Sequence, residues 1–368
     1  MKKLGSFDYS SLEISNRLKM TNKYIRKSIR AFPFGNDELT PEEKLFKSTF
    51  EEWYSAKHRT ASNDEITFIN SITIKNCPYC GSIKFIKDGH RKDEIQKYKC
   101  NDCNRSFTPL TNTIFDSRKI PISEWFEFLL HLFEFHSIKT SSYDNRNAES
   151  TGRYWLIKAF EVLKGIQDDV VLDGTIYLDE MYLPKIKSET VKKNGKKLRG
   201  ISNNKLGVGV ATNKDKSIFI VTGTSKPSVT STLRTYGSHI KEGSTIIHDK
   251  EKSHNALVNK LNLVSITYSS EETAGLEDKE NPLDQVNDLH NLAKRFMREQ
   301  GSYDRDNLQD WMNLVWFILN PPNDKYSKVL KFIEIAISSP KRVKYRDSMM
   351  KNFEASSKLV GKNLICKY

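Results

Sequence analysis

Two groups of residues in this chain have the types and spacing to do chemistry. The first is Cys77-Pro78-Tyr79-Cys80-Gly81 followed by Cys100-Asn101-Asp102-Cys103. Each CxxC makes a tight knuckle that turns both thiolates toward one ion, and two knuckles complete a tetrahedral Zn²⁺ shell. Four cysteine ligands leave no open position, so this zinc is expected to be structural. The second group is a pair of carboxylates. Asp179 follows Ile176-Tyr177-Leu178, and Asp249 follows Thr245-Ile246-Ile247-His248. A carboxylate at the end of a buried strand is costly unless it is paired or bound to a metal. Two of them, on separate strands, can converge on hard cations such as Mg²⁺ or Mn²⁺. Two such ions, about 3.5–4 Å apart, can clamp the attacking and leaving oxygens of a phosphoryl displacement.

A helix further on offers a third element. Asn287, His290, Asn291, Lys294 and Arg298 fall at i, i+3, i+4, i+7 and i+11 and share one face. Val286, Leu289, Ala293 and Phe296 form a separate apolar stripe. The polar, basic face suits a metal and phosphate site; the same pattern also suits an ordinary amphipathic surface helix. Asp284 and Asp288 are acidic neighbours that could complete a metal site instead. Asp284 sits one turn earlier on nearly the same face, and Asp288 is rotated by about 100°.

The elements that must carry these groups can be read along the chain. Thr40-Pro41-Glu42-Glu43 reads as a helix start. Ile83–Ile86 and Tyr98-Lys99 read as hairpin strands between the cysteine pairs. Residues 121–135 form an apolar helix opened by Pro121, and Ser150–Leu163 a second. The polar link between them suits a helix-turn-helix or a plain helical linker equally. From about 171, short apolar runs predict strands ending at Asp179, over Leu206–Ala211 and Ile218–Val221, at Thr245–Ile247, and over Leu261–Thr267. Helices are expected at Ser228–Ile240 and Val286–Arg298, then near 307–319 and 325–338. This order predicts an α/β fold, a mixed sheet covered by helices. Gly207-Val208-Gly209 lies inside a strand and reads as strand packing; Cys366 reads as a spare thiol.

Composition bounds the function. Lys plus Arg number 59 and Asp plus Glu 46, a net charge of +13 in 368 residues. Such an excess favours a polyanionic partner, most often nucleic acid, although a generally basic proteome gives the same sign. Lys84, Lys87, Arg91, Lys92, Lys97 and Arg105 surround the cysteines and suit phosphate contacts or a solvated face. No run is long and apolar enough to span a membrane, and no membrane partner is expected. The start lacks an apolar segment after its lysines, so a cytoplasmic location is expected, nucleoid-associated in a bacterium. GxxxxGK[ST], GxSxG and HExxH patterns are absent.

The order CPYC…CNDC, a helical region, TIYLDEMYLP, STIIHDKEKSH and VNDLHNLAKRFM resembles the insertion-sequence transposases with a zinc ribbon and a ribonuclease-H-like core, the group numbered fifteen-ninety-five. The resemblance runs over roughly residues 70–335. It implies that Asp179 and Asp249 are the first two catalytic acids. It puts Asn287 where related enzymes carry Glu, and Lys294 at a lysine that follows the third catalytic residue. A basic insertion between the first two strands, here Lys192, Lys193, Lys196, Lys197 and Arg199, is similar to the family.

The expected organisation is a helical region at 1–70, a zinc ribbon at 71–112 and a helical segment at 113–170 that suits a helix-turn-helix. A ribonuclease-H-like catalytic domain at 171–300 and a helical basic region at 301–368 follow. The expected function is a DNA transposase that cuts element ends and joins the 3′-OH to target DNA. Two Mg²⁺ or Mn²⁺ ions would serve catalysis at Asp179 and Asp249, with Asn287 and Lys294 completing the site and structural Zn²⁺ in the ribbon. The basic insertion, His290 and Arg298 would contact DNA, meaning the element's terminal inverted repeats and a target duplex. A homo-oligomer is expected on DNA. The rivals are a catalytically inactive, transposase-derived DNA-binding regulator and a nuclease of the same fold.

Overall fold

A computed structural model describes residues 63–345, apart from 186–189, 191, 194–195, 198–201, 225, 274, 278–279 and 302. The expected helix start at Thr40, Arg199 and Cys366 lie outside the described residues. These fall into two compact units. One holds residues up to Pro109 with Ser117–Phe128 and Ser142–Gly152; the other holds Leu110–Asp116, Leu129–Ser141 and residues from Arg153 onward. No helix among the described residues is long and apolar enough to cross a membrane.

The first unit opens with helix α1 (Asn63–Ser71) and a three-stranded sheet of β1 (Phe85–His90), β2 (Gln96–Cys100) and β3 (Ser106–Phe107). Phe85, Tyr98 and Phe107 pack ring against ring, with centroids 5.5–5.7 Å apart. With Cys77 and Cys100 they make up a very small core, of the size that a metal cross-link would stabilise. Glu65 of α1 caps the helix that follows: its carboxylate accepts from the Ile122 and Ser123 amides at 2.9 and 3.1 Å, and from Arg118 at 3.1 Å. Two of the orphan amides at a helix start are thereby satisfied.

Helices α2 (Ser123–Phe133), α3 (Ile138–Asp144) and α4 (Glu149–Leu163) divide between the units. The polar link expected between two helices thus contains a third, α3.

The second unit is built on a five-stranded sheet. Its strands are β4 (Thr175–Pro184), β7 (Lys205–Thr212), β8 (Ser217–Thr224), β9 (Thr245–Asp249) and β10 (Val264–Tyr268), in the order β10-β9-β4-β7-β8. The first three in sequence are antiparallel, while β9 and β10 run parallel to β4. The sheet is mixed and of the ribonuclease-H-like kind. Its flanking helices are α5 (Val229–Tyr236), α6 (His254–Leu261), α7 (Ser270–Thr273), α8 (Asp284–Glu299), α9 (Leu308–Leu319) and α10 (Lys325–Ser338). Between β4 and β7 a short hairpin pairs β5 (Lys192–Lys193) with β6 (Lys196–Lys197).

Leu172, Ile176, Leu178, Ala211, Ile218, Tyr236, Ile246 and Leu257 form a buried cluster from strands β4, β7, β8, β9 and helices α5 and α6. Helix α8 packs against β4 and β7, and α9 against β8. Edge strand β8 is not left open. Gln309 and Asn320 accept from the Val221 and Ser217 amides at 2.8 Å each, and Gln167 from Phe219 at 2.7 Å. Side-chain amides thus satisfy backbone groups that would otherwise template another strand.

Two expectations are corrected. Asp179 does not end its strand; it lies near the middle of β4, which stays paired with β7 as far as Pro184 opposite Lys205. The run expected over Leu261–Thr267 begins only at Val264, because Leu261 closes helix α6.

Candidate active site and zinc-ribbon-like cluster

The parallel pairing of β4 with β9 sets the geometry of the carboxylates. The register pairs Leu178 with His248, so Asp179 and Asp249 stand one step beyond, on neighbouring strands. Both remain reachable by solvent, with side chains 26% and 45% exposed. Each accepts a local amide: Glu180 N–H to Asp179 Oδ1 at 2.8 Å, Glu251 N–H to Asp249 Oδ1 at 3.1 Å. Burial, then the nearby Asp249 and Glu180 charges, push the Asp179 carboxyl up to about 7. Burial also pushes Asp249 upward. Two acids held together against their own repulsion are what a divalent cation relieves.

Helix α8 delivers its side chains to the same place. His290 is buried, with Nδ1 3.9 Å from Asp179 Oδ2. Its Nε2 is also buried and has no hydrogen-bond partner among the described residues. Burial, then the Lys294 ammonium, push this imidazole down to about 3, so the ring is neutral. Lys294 is half-buried, and Asp179 and Lys205 both act on its charge. Lys205 opens β7. Asn287 is half-buried one turn before His290 and makes no side-chain hydrogen bond among the described residues. Asp284 is half-buried; Asp288, Asn291 and Arg298 are exposed. His290, expected among the DNA contacts, is buried: the apolar stripe does not fix how deep the polar face sits.

Behind the carboxylates lies a polar network that sequence reading missed. Glu180 points to the side of β4 opposite Asp179, and it is buried. Its Oε1 accepts from Tyr236 Oη at 3.0 Å and meets His254 Nε2 at 3.2 Å. His254 Nδ1 lies 3.0 Å from His248 Nδ1 and 3.6 Å from Asp249 Oδ1, and His248 Nε2 lies 3.0 Å from Ser265 Oγ. Burial works against a charge on His254, but the Glu180 hydrogen bond and charge outweigh it and raise its pKa. Burial, then His254, push His248 down to about 4. Two proton arrangements satisfy these contacts, and the raised pKa of His254 fits the one in which it is doubly protonated. His254 donates to both Glu180 and His248, and neutral His248 donates onward to Ser265. His248, Asp249 and His254 could themselves gather around an ion, but only by giving up the bond between the two rings. The signals in sequence were an acid inside an apolar strand (Glu180) and two histidines flanking Asp249.

Gly209 makes this network possible. It stands opposite Glu180 on β7. A Cβ there would lie 2.5 Å from Thr235 Cγ2 and 2.7 Å from Tyr236 Oη. The missing side chain lets Tyr236 cross β7 closely enough to reach Glu180.

A cleft of about 900 Å³ runs along α8, lined by Leu183, Asn291, Lys294, Arg298, Tyr303 and Arg305 among others. The Arg305 guanidinium carbon lies over the Tyr303 ring, 3.8 Å from its centroid. Of the basic hairpin, Lys192 is exposed.

In the other unit the four cysteines converge. Cys77 Sγ lies 3.7 Å from Cys103 Sγ, and Cys80 Sγ 3.6 Å from Cys100 Sγ. A tetrahedral ion with Zn–S of about 2.3 Å requires sulfurs roughly 3.8 Å apart, so the group fits zinc. The knuckles close on the backbone, with Gly81 N–H to Cys77 O at 2.9 Å and Cys100 N–H to Arg105 O at 3.0 Å. The Cys103 amide holds Cys100 down to about 7, while Cys80 is pushed up to about 12, so without an ion the crowded thiols do not share their negative charge equally. Among the surrounding basic residues, Lys97 pairs with Asp88 at 3.1 Å and Arg91 with Asp93 at 3.2 Å. Lys84, Lys87, Lys92 and Arg105 are exposed.

No protein-family model matches the chain, and no curated protein sequence matches it. Solved structures give faint likenesses. A simian T-cell lymphotropic virus intasome in complex with PP2A regulatory subunit B56 gamma aligns at 8% identity over 54% of this chain and 69% of that one, with a TM-score of 0.27. A pre-cleavage Mos1 transpososome aligns at 10% identity over 92% and 100%, TM-score 0.25. The Mos1 strand transfer complex aligns at 12% identity over 91% and 96%, TM-score 0.25.

Proposed function

We propose that this chain is an insertion-sequence DNA transposase. It cuts the element ends and joins the freed 3′-OH to target DNA by metal-dependent phosphoryl transfer. The observation that carries the reading is the pairing of β4 with β9, which sets Asp179 beside Asp249 under the basic face of α8. Asp179 and Asp249 would hold the divalent cations. Such cations lower the pKa of bound water and stabilise charge on a phosphoryl group.

The chain's own residues supply the rest. Lys294, electrostatically coupled to Asp179, would neutralise a phosphate beside the scissile bond. Arg298 and Arg305, on the cleft along α8, would guide the strand backbone by phosphate contacts, which position without reading sequence. The exposed Lys192 would add contacts of the same kind. Hydrolysis at the element end releases a 3′-OH, which then displaces a phosphodiester in the target. Bonds are exchanged, so no ATP is required. Cys77, Cys80, Cys100 and Cys103 would hold Zn²⁺ and shape the ribbon that meets the element ends.

The test is incubation of the full chain with Mg²⁺, element-end DNA and a target duplex. Strand-transfer products support the proposal. Nicks alone would mean a nuclease, and shifted but intact DNA a binding protein.

A further inference from the structure

We propose that His290 is the ligand that α8 contributes to the divalent-cation site, in place of Asn287. The inference rests on the reading that Asp179 and Asp249 bind the cation. Of the five polar residues on this face of α8, His290 is the one that is fully buried, at 5% exposure. Asn291 and Arg298 face solvent, and Asn287 and Lys294 are half-buried.

The separation of His290 Nδ1 from Asp179 Oδ2, 3.9 Å, is too long for a hydrogen bond. It is shorter than two metal–ligand bonds of about 2.1 Å placed end to end. One ion can therefore touch both atoms. The second nitrogen, Nε2, is sealed from solvent with no partner among the described residues. In a neutral ring that ligates through Nδ1 the proton sits on Nε2, and that atom calls for a water of its own. A buried, neutral imidazole facing a carboxylate at this distance, with no hydrogen bond to that carboxylate, has the surroundings of a metal ligand.

A nitrogen ligand also sets the metal. Imidazole binds Mg²⁺ poorly and later first-row ions better, so two carboxylates and one imidazole favour Mn²⁺ or Co²⁺ over Mg²⁺. Asn287, with an amide oxygen, would give the opposite preference.

The test uses Mn²⁺ with the full-length protein and needs no DNA. Pulsed electron paramagnetic resonance of bound Mn²⁺ should show coupling to a directly bonded ¹⁴N, replaced by ¹⁵N coupling when histidine is ¹⁵N-labelled. His290→Gln should abolish that coupling and weaken Mn²⁺ binding about tenfold or more, and Asn287→Ala should leave the coupling intact. If His290→Gln does not fold, His248→Gln and His254→Gln decide, since these are the two other histidines near Asp249. Coupling retained in both supports His290; coupling lost in either overturns it. Mn²⁺ that binds and is lost with Asp179→Asn, yet shows no nitrogen coupling, overturns the role of His290 alone. Mn²⁺ binding that ignores Asp179→Asn overturns the carboxylate site and this inference together.

Discussion

Glu180 Oε1 lies 3.2 Å from His254 Nε2, and both side chains are almost wholly buried, 4% and 0% exposed. Breaking such a pair strands one buried charge and costs about 3–5 kcal/mol. His254→Ala is therefore expected to lower unfolding free energy by an amount in that range, and Glu180→Gln by less, because the amide still accepts from Tyr236. Urea melts of the two variants check this. A His254→Ala variant as stable as wild type would show that the pair holds nothing together.

Asp179→Asn and Asp249→Asn keep the shape of each side chain and remove its charge. Each is expected to lower strand transfer by at least about a thousandfold while leaving affinity for element-end DNA within about threefold, because cations act on the transition state more than on docking. Gel-based strand-transfer and shift assays on the same preparations separate the two effects. Near-normal transfer by either variant would sink the active-site assignment.

One zinc per chain is expected, bound by Cys77, Cys80, Cys100 and Cys103. The ribbon's own core is little more than three rings and two thiols, so zinc removal should unfold it. Such sites supply roughly 10 kcal/mol or more of folding energy. Elemental analysis of wild type and Cys77→Ser, with hydrogen exchange across residues 71–112, measures both points. A Cys77→Ser ribbon that stays protected without zinc would refute them.

Gly209→Ala should destabilise the sheet by about 1–3 kcal/mol, the usual cost of forcing an extra methyl into a packed interior. The new Cβ would meet Thr235 and Tyr236. Combining it with Tyr236→Phe should cost less than the two single losses added together, since the changes share one contact. Strict additivity in thermal melts would remove Tyr236 from the explanation.

Lys328 is buried, and burial pushes its ammonium down to about 8. Its Nζ donates to the carbonyls of Phe317, Ile318 and Asn320 at the end of α9. Burial likewise pushes Lys158 down to about 8, against the opposing pull of Asp116. Between pH 8 and the ordinary lysine range near 10.4, the unfolded chain holds these protons while the folded chain has released them. Stability from this source therefore rises with pH across that window. Urea midpoints at pH 7.5, 8.5 and 9.5 should climb, and Lys328→Met should remove about half of the climb. Identical slopes for both proteins would disprove the linkage.

Much of this was legible in the residues alone. The CxxC spacing gave the cluster because knuckle geometry is local. Strands β7, β8 and β9 were readable because each is a short apolar run between polar turns. Asp179 was identified, but the extent of β4 was not: its second half is held by β7 opposite, a partner no local pattern reveals. Helix α6, two turns long, is too short to display a period and hid between two strand-like runs. Glu180, His248 and His254 look like loop chemistry until the fold buries them together. On α8, periodicity tells which residues point one way, not how deep each is buried or what stands opposite them.

Strand β4 has a consequence for how this sequence can change. Asp179 serves the α8 side of the sheet and its immediate neighbour Glu180 serves the α5 and α6 side. Successive strand residues alternate faces, so the two acids are separated by the thickness of a backbone. A one-residue slip or deletion within Thr175–Leu178 would exchange them. The histidine–tyrosine network would then receive an aspartate one methylene too short, and the cation side a glutamate one too long. The strand acts as a reading frame for the chemistry: point substitutions elsewhere in it can be absorbed, while a shift in frame keeps every acid and misdelivers both.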